Sequence, residues 1–466
     1  MVEVVKPGKV AGSVLIPASK SHTIRALLIA SLAEGTSRIL NPLDSADTRS
    51  CINACRLLGA RISGGEEGGV CSFIVDGVGG RVRVPEGPID VGNSGTTLYL
   101  AAGIAATAAA DISFTGDGQI RSRPAANLLR SLQDLGVRVV SESGGRPPFT
   151  LRGPLRGGRT RIECPTSQYL SSLLIAAPLA PEATEIQVPL LNERPYVEMT
   201  LRWLEEQGIR LERRGLEYFR IPGGQRYRAF TKAVPGDFSS ATFFLCAAAV
   251  TGSTLTLRGL DMGDSQGDKE VVNILARMGC SVSIAEDEIR ISGGPLRGMD
   301  IPMNAIPDAL PALAAVAGYA RGRTRLLGAP QARLKETDRI AVMAAELTKM
   351  GVRVRELPDG LEIFGPGAGV PGAGDLGVQA PGNGVPGAGD LGAQAPGNGI
   401  PGAGTPEPAP PLRGAELDGR GDHRVVMALA VAALGASGES RIKTAEAAEI
   451  TFPGFFPLLE KTRIAP

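Results

Sequence analysis

The sequence predicts an α/β fold assembled from six copies of one βαβαβ-type unit. Two observations carry that prediction. The first is a recurrent helix ending, "LLGARI", "DLGVRVV", "EQGIRL", "RMGCSV" and "KMGVRV". Its glycines, Gly59, Gly136, Gly208, Gly279 and Gly351, lie about 77, 72, 71 and 72 residues apart, a period suited to a small α/β unit rather than to a solenoid repeat. The second is a recurrent opening, a short polar segment followed by an alanine-rich apolar helix, which occurs six times.

In chain order the openings are "PASKSHTIRALLIASLAEG", "VGNSGTTLYLAAGIAATA", "CPTSQYLSSLLIAAPLA", "VPGDFSSATFFLCAAAVTG", "IPDALPALAAVAGYARG" and "GDHRVVMALAVAALGASG". Each is followed by a strand-like stretch, "SRILNP", "DISFTG", "TEIQVP", "STLTLRG", "TRLLGA" and "SRIKTA". A second helix then usually leads to the glycine. Glycine is the expected residue just past a helix, and the β-branched residues after it begin a strand. Apolar helices alternating with strands in this way bury themselves against sheets.

The period breaks once. Asp308 and Asp422 are about 114 residues apart, where earlier openings are about 70 to 75 apart. The excess coincides with "GVPGAGDLGVQAPGNGVPGAGDLGAQAPGNGIPGAG", two near-identical 15-residue copies and a partial third. Its Gly and Pro content, with no aromatic residue and almost no charge, cannot offset the entropy of folding into a packed core. A solvated, disordered insertion at about 365–411 is expected.

Composition excludes several classes. The 466 residues carry 21% charged and 43% apolar side chains with a formal net charge of +1, as in an ordinary globular protein of two or three domains. The 49 basic residues are dispersed, so no nucleic-acid partner is implied. The first residues lack the pattern of a signal peptide and no apolar run reaches the roughly 20 residues of a membrane span, so a cytoplasmic protein with no membrane partner is expected, and a monomer. Six cysteines without CxxC pairing read as buried free thiols.

Helix N-termini offer unpaired N–H groups and partial positive charge to anions. The openings carry Lys20, Ser21 and Arg25; Asn93, Ser94, Gly95 and Thr96; Thr166, Ser167 and Gln168; Asp237, Ser239 and Ser240; Asp308; and Asp422, His423 and Arg424. Ser19, Asn93, Asp237 and Ser239 suit capping. Lys20, Arg424 and Arg123, in "TGDGQIRSRP", do not, because a cap needs no cation; they point to anion binding. "QARLKETDRI" crowds Arg333, Lys335, Glu336, Asp338 and Arg339 together, and as a helix it places Lys335 and Arg339 on one face, where like charges repel. If the units fold as two groups of three, these helix starts face one strongly positive cleft that repels itself until anions enter. His22 and His423, the two histidines, are expected in structural hydrogen bonds rather than on a metal.

The segments "ASKSHTIRALLIASLAEG", "VGNSGTT", "RSRP", "TSQYLSSLLIAAPLA", "RPYVEMT", "IPDA", "LKETDRI" and "GDHRVVMALAVAAL", in this order, resemble the 5-enolpyruvylshikimate-3-phosphate synthase family. The resemblance spans nearly the whole chain except the insertion. It implies an enolpyruvyl-transferase-like fold of two domains, three units each, closing over an interdomain cleft. One domain is 20–234 and the other combines 1–19 with 235–466. The implied reaction moves the enolpyruvyl group of phosphoenolpyruvate to the 5-hydroxyl of shikimate 3-phosphate, releasing phosphate, with no metal or organic cofactor.

By position, the resemblance implies that Lys20, Ser21, Arg25, Thr166, Ser167, Gln168, Tyr196, Asp308, Gln331 and Lys335 contact shikimate 3-phosphate, and that Lys20, Asn93, Gly95, Arg123, Gln168, Arg339 and Arg424 contact phosphoenolpyruvate. Asp308, Glu336, Lys20 and Lys335 form the catalytic group. Addition requires removing the 5-hydroxyl proton and protonating the methylene carbon, then reversing the second step as phosphate leaves. Two carboxylates with nearby cations meet that need, with Asp308 as base and Glu336 as the methylene's proton donor. Four positions depart from the family's common bacterial pattern: Glu193 stands where a serine bonds the 3-phosphate, Tyr99 where arginine is common, Gln331 where asparagine is common, and Ile450 where some members carry lysine. Two rivals are enolpyruvyl transfer to UDP-N-acetylglucosamine, which expects Lys-Asn in place of "SKS" and a cysteine in the "TGDGQIRSRP" loop, and a binding or RNA-end-processing protein on similar repeats, which needs neither "KETDR" nor the "DHR" arginine.

Overall fold

The computed structural model describes residues 1–67, 70–141, 144–368 and 412–464. The insertion expected at about 365–411 therefore lies, from residue 369 on, outside the described residues.

All six openings are helices: Lys20–Leu32, Gly95–Ala105, Ser167–Ala176, Phe238–Thr251, Leu310–Tyr319 and His423–Leu434. One or two residues past each of the first five second-layer helices comes the anticipated turn, with Gly59, Gly136, Gly208, Gly279 and Gly351 at φ 109°, 95°, 70°, 120° and 91°, values that a side chain makes costly. In the second unit Ile89–Asp90 runs parallel to Asp111–Thr115 on either side of the opening helix, and Arg138–Ser141 and Phe149–Arg152 extend the sheet as an antiparallel hairpin. The third and fifth units follow the same plan, so the full unit is βαβαββ. The sixth sheet is completed by the N-terminal strand Val2–Val5, antiparallel to Ser440–Lys443.

The first and fourth units exchange a strand. Ser13–Leu15, which precedes the first opening helix, pairs parallel with Thr254–Arg258 of the fourth unit. Thr231–Ala233, which precedes the fourth, pairs parallel with Thr36–Leu40 of the first. The chain thus crosses twice between two separate apolar cores. One core runs from Ala18 to Val234, and the other gathers Val5 to Ile16 with Phe238 to Leu459. The crossings lie side by side, with Ser19 N–H donating to the Pro235 carbonyl at 2.8 Å and Asp237 N–H to that of Pro17 at 2.9 Å.

Within each core the opening helices are buried nearly all round, which is why they are apolar on every face. Small residues let them approach. A Cβ on Gly103 would lie 2.4 Å from Ser172 Oγ and 2.7 Å from its carbonyl oxygen on the neighbouring opening helix, so that crossing requires glycine. Of the cysteines, five are buried and Cys71 is exposed. Cys71 sits near the tip of the hairpin Arg61–Glu67 and Val70–Asp76, beyond the cover of the core, which corrects the expectation that all six are buried.

Polar contacts join the two cores beside the crossings. His22 Nδ1 accepts from Trp203 Nε1–H at 3.0 Å and its Nε2 donates to Asp264 Oδ1 of the other core at 3.1 Å. His22 is therefore structural, as expected. Burial alone raises the Asp264 carboxyl, but His22 and Gln266 outweigh it and hold it at about 2. A carboxyl lowered on folding contributes stability above its unfolded value and loses it as pH falls through the folded one. Asp264→Asn should therefore lower the unfolding free energy at pH 7 by about 2 kcal/mol, and that difference should roughly halve by pH 3, as read by urea denaturation of both proteins at each pH.

Candidate active site

The starts of the opening helices from both cores converge on one cleft of about 570 Å³. Twelve of the expected residues line it: Lys20, Ser21, Arg25, Gly95, Arg123, Ser167, Gln168, Tyr196, Asp308, Lys335, Glu336 and Arg339. Thr166 and Gln331 line an adjoining cavity of about 360 Å³. Asn93 and Arg424 line neither. The Asn93 amide donates to Asp117 and Gln119, each at 2.6 Å, and Arg424 is buried behind Asp308 at 3.6 Å. Asp47, Thr96, Glu193 and His423 also line the cleft.

The local chemistry at each start differs from a simple capping pattern. Ser19, Asp237 and Asp422 do cap their helices. Ser94 caps the second in place of Asn93, and Ser239 instead donates to Asp268. At "QARLKETDRI" the helix begins only at Arg339, with Asp338 as cap, after the short 3-10 turn Pro330–Leu334 and an extended Lys335. Lys335 and Arg339 thus share no helix face, which removes the expected like-charge cost.

Arg339 is the hub. Its guanidinium, fully buried, donates from Nε to Asp422 Oδ2 at 2.8 Å, from Nη1 to Asp308 Oδ1 at 2.8 Å, and from Nη2 to Glu336 Oε2 at 2.6 Å and Asp422 Oδ1 at 3.2 Å. Glu336 is also held by Arg123 of the other core, Nη2 to Oε1 at 2.6 Å. Gly95 makes room for that arginine, since a Cβ there would fall 2.2 Å from Arg123 Nη1. Lys335 Nζ is 2.5 Å from Glu193 Oε1 and 3.9 Å from Asp308 Oδ1, and Lys20 pairs with Asp47 at 3.0 Å.

These pairs correct the expectation of a strongly positive, self-repelling cleft. Lys20, Arg25, Arg123, Lys335 and Arg339 face Asp47, Glu193, Asp308 and Glu336, five cations against four carboxylates. The missing information was the acidic half. Asp47 and Asp268 look like ordinary helix-start acids in the sequence, and only the meeting of units gives them partners.

Electrostatics follow from that arrangement. Burial pushes the Asp308 carboxyl up, but Lys335, Arg424 and Arg339 together bring it below the usual carboxylate range. Glu336 is likewise raised by burial and lowered further by Arg123 and Arg339. Both are ionised. Burial and nearby Asp308 lift Asp268, which accepts from Tyr196 OH at 2.9 Å, to about 6. Arg25 donates to Thr200 Oγ1, the Ser21 carbonyl and the Tyr196 carbonyl at 2.9, 3.0 and 3.0 Å, all neutral partners, and burial lowers it to about 10. Among the described residues no carboxylate pairs with it, so it is a buried cation suited to an incoming anion.

The remaining departures have structural explanations. Tyr99 donates to the Pro124 carbonyl at 2.9 Å, packed edge-on against Tyr169, and so buttresses the residue after Arg123. Gln331 is buried with its amide on the Asn304 carbonyl at 3.2 Å and its Oε1 unpaired. Ile450 packs against the second core.

Comparison with known proteins agrees over the full chain. The family model of EPSP synthase (3-phosphoshikimate 1-carboxyvinyltransferase) matches residues 4–377 and 391–459. A 3-phosphoshikimate 1-carboxyvinyltransferase of Acetivibrio thermocellus is 46% identical over 98% of this chain and 97% of the relative. One from Methanocella arvoryzae is 41% identical over 99% and 98%. The solved EPSP synthase from Acinetobacter baumannii superposes with a TM-score of 0.75 at 27% identity, covering 100% and 98%. An enolpyruvyl transferase from Streptomyces tendae shares the fold, with a TM-score of 0.70 at 18% identity over 99% and 97%.

Removing one partner of a buried ion pair leaves an uncompensated charge, at a cost of about 3–5 kcal/mol. Asp422→Ala should therefore lower the unfolding free energy by about that amount, and Asp422→Asn by less, as measured by urea denaturation.

Proposed function

The chain belongs to the EPSP synthase family, the 3-phosphoshikimate 1-carboxyvinyltransferases of the shikimate pathway, and we propose how its cleft performs that reaction. It transfers the enolpyruvyl group of phosphoenolpyruvate to the 5-hydroxyl of shikimate 3-phosphate. The observation that carries the assignment of roles is that Asp308 and Glu336, both ionised, are held by two nitrogens of one guanidinium, Arg339, at 2.8 and 2.6 Å. That pairing supports giving one carboxylate to each of the two proton transfers.

In this reading Asp308, 3.9 Å from Lys335, takes the 5-hydroxyl proton as the oxygen attacks C2 of phosphoenolpyruvate. Glu336 gives a proton to the methylene carbon and takes it back as the C2–phosphate bond breaks and phosphate leaves. Glu336 needs its proton first. Arg123 and Arg339 hold it ionised, and the phosphate and carboxylate of phosphoenolpyruvate are the groups that take those guanidiniums away. As they do, the carboxyl of Glu336 climbs toward working pH. Arg25, Ser21, Thr166, Ser167, Gln168, Tyr196 and Gln331 hold the acceptor; Lys20 serves both substrates; Asn93 orders the Asp117 turn ahead of Arg123, and Arg424 supports Asp308 from Nη2 at 3.6 Å, its Nε and Nη1 donors being unpaired.

We further propose a cytoplasmic monomer, two domains at 20–234 and at 1–19 with 235–466, and no partner beyond the small substrates. Among the described residues no helix is long and apolar enough to cross a membrane. The decisive assay measures phosphate release from phosphoenolpyruvate with each acceptor. Release with shikimate 3-phosphate and none with UDP-N-acetylglucosamine is expected, and the reverse overturns the reading. Glu336→Gln should lower kcat by about 100-fold or more, with a smaller effect on KM. Gly95→Ala, which displaces Arg123, should mainly raise the KM for phosphoenolpyruvate, by about tenfold.

A further inference from the structure

Glu193 stands at the start of the helix Arg194–Glu206 in the left-handed conformation, φ 57°. Its N–H donates to the Asn304 carbonyl across the cleft at 3.2 Å. That backbone conformation is uncommon for a residue with a side chain, and here it aims a carboxylate into the cleft. The carboxylate is almost fully buried. Oε2 accepts from Ser167 N–H at 3.1 Å, Ser167 Oγ at 2.8 Å and Thr166 Oγ1 at 3.1 Å, while Oε1 accepts from Lys335 Nζ at 2.5 Å. Thr166 makes no side-chain cap on its own helix, so Glu193 is the anion that satisfies that helix start.

A helix N–H, two hydroxyls and an ammonium are the donors that a phosphate monoester takes. Glu193 holds them all. A phosphate dianion cannot share them with a carboxylate, because the two negative charges would sit a few ångströms apart in a site largely shielded from water. We propose that Glu193 is an internal competitor for the acceptor's phosphate, so that acceptor binding is an exchange of one anion for another. This rests on the acceptor reading given above.

The exchange makes Glu193 a specificity-determining residue. A ligand gains the seat only if it offers more to these donors than a carboxylate does, which a phosphate dianion can and an uncharged hydroxyl cannot. Phosphorylated acceptors are therefore selected over unphosphorylated ones, and the affinity for the phosphorylated acceptor is held below what the donors alone would give. Glu193 and Lys335 also belong to different cores, so expelling the carboxylate frees the ammonium for the acceptor and for Asp308, 3.9 Å away.

The test is calorimetric binding of shikimate 3-phosphate, and separately of inorganic phosphate, to the wild-type chain, Glu193→Gln and Glu193→Ser. Glu193→Gln keeps the shape of the side chain while removing its charge and one of its two acceptor oxygens. Both variants should bind both ligands at least tenfold more tightly than wild type. A merely structural Glu193 would not produce tighter binding. Unchanged or weaker binding of inorganic phosphate by Glu193→Gln overturns the exchange. Tighter inorganic phosphate with no shikimate 3-phosphate binding to any of the three upholds the exchange and sinks the acceptor reading instead.

Discussion

The cleft depends on the burial of one guanidinium. Arg339 joins Asp422 at the start of the sixth opening helix, Asp308 in the turn Pro307–Ala309 before the fifth, and Glu336 in the loop between. Glu336 passes the constraint to Arg123 in the other core. A buried cation with three carboxylates tolerates the loss of none of them without leaving charge unpaired in a poor solvent. The positions of both proposed proton-transfer carboxylates are therefore fixed by the same requirement that holds two helix starts together.

That arrangement changes the physical picture of how the site works. A cleft lined only by cations would attract phosphoenolpyruvate and shikimate 3-phosphate but would not hold its own geometry. This cleft carries its counter-ions, Asp47, Glu193, Asp308 and Glu336. In the proposed reading, substrate anions act by replacing internal ones, and each replacement alters the protonation or mobility of a named carboxylate. Such exchange would couple binding to chemistry, because the proposed affinity of Arg123 and Arg339 for substrate is also what would release Glu336 to carry a proton.

Much of this was legible in the sequence. The six openings and the glycine helix endings are dictated locally, by apolar helices that must be buried all round and by turns that need positive φ. Lys20 and Arg123 stood out because a cap needs no cation, and Arg339 because the charges crowded around it include Lys335 at helical spacing. The counter-ions were not legible for the opposite reason. Asp47, Asp268 and Asp422 are favourable where they stand, as helix-start acids, and their pairing with Lys20, Tyr196 and Arg339 arises only when separate units meet. The strand exchange between the first and fourth units was hidden because Ser13–Leu15 and Thr231–Ala233 suit either sheet. Glu193 showed a chemical conflict in the sequence; its direction depended on a backbone angle that no side-chain pattern encodes.

The central claim, that substrate anions replace internal carboxylates on Arg123 and Arg339, is tested most directly by the proton balance of binding. Phosphoenolpyruvate is titrated calorimetrically into the wild-type chain and into Glu336→Gln at pH 8, where the ligand is fully ionised, in buffers of differing ionisation enthalpy. Net proton uptake by the wild type, absent from Glu336→Gln, is expected. Equal proton balances in the two proteins would contradict it.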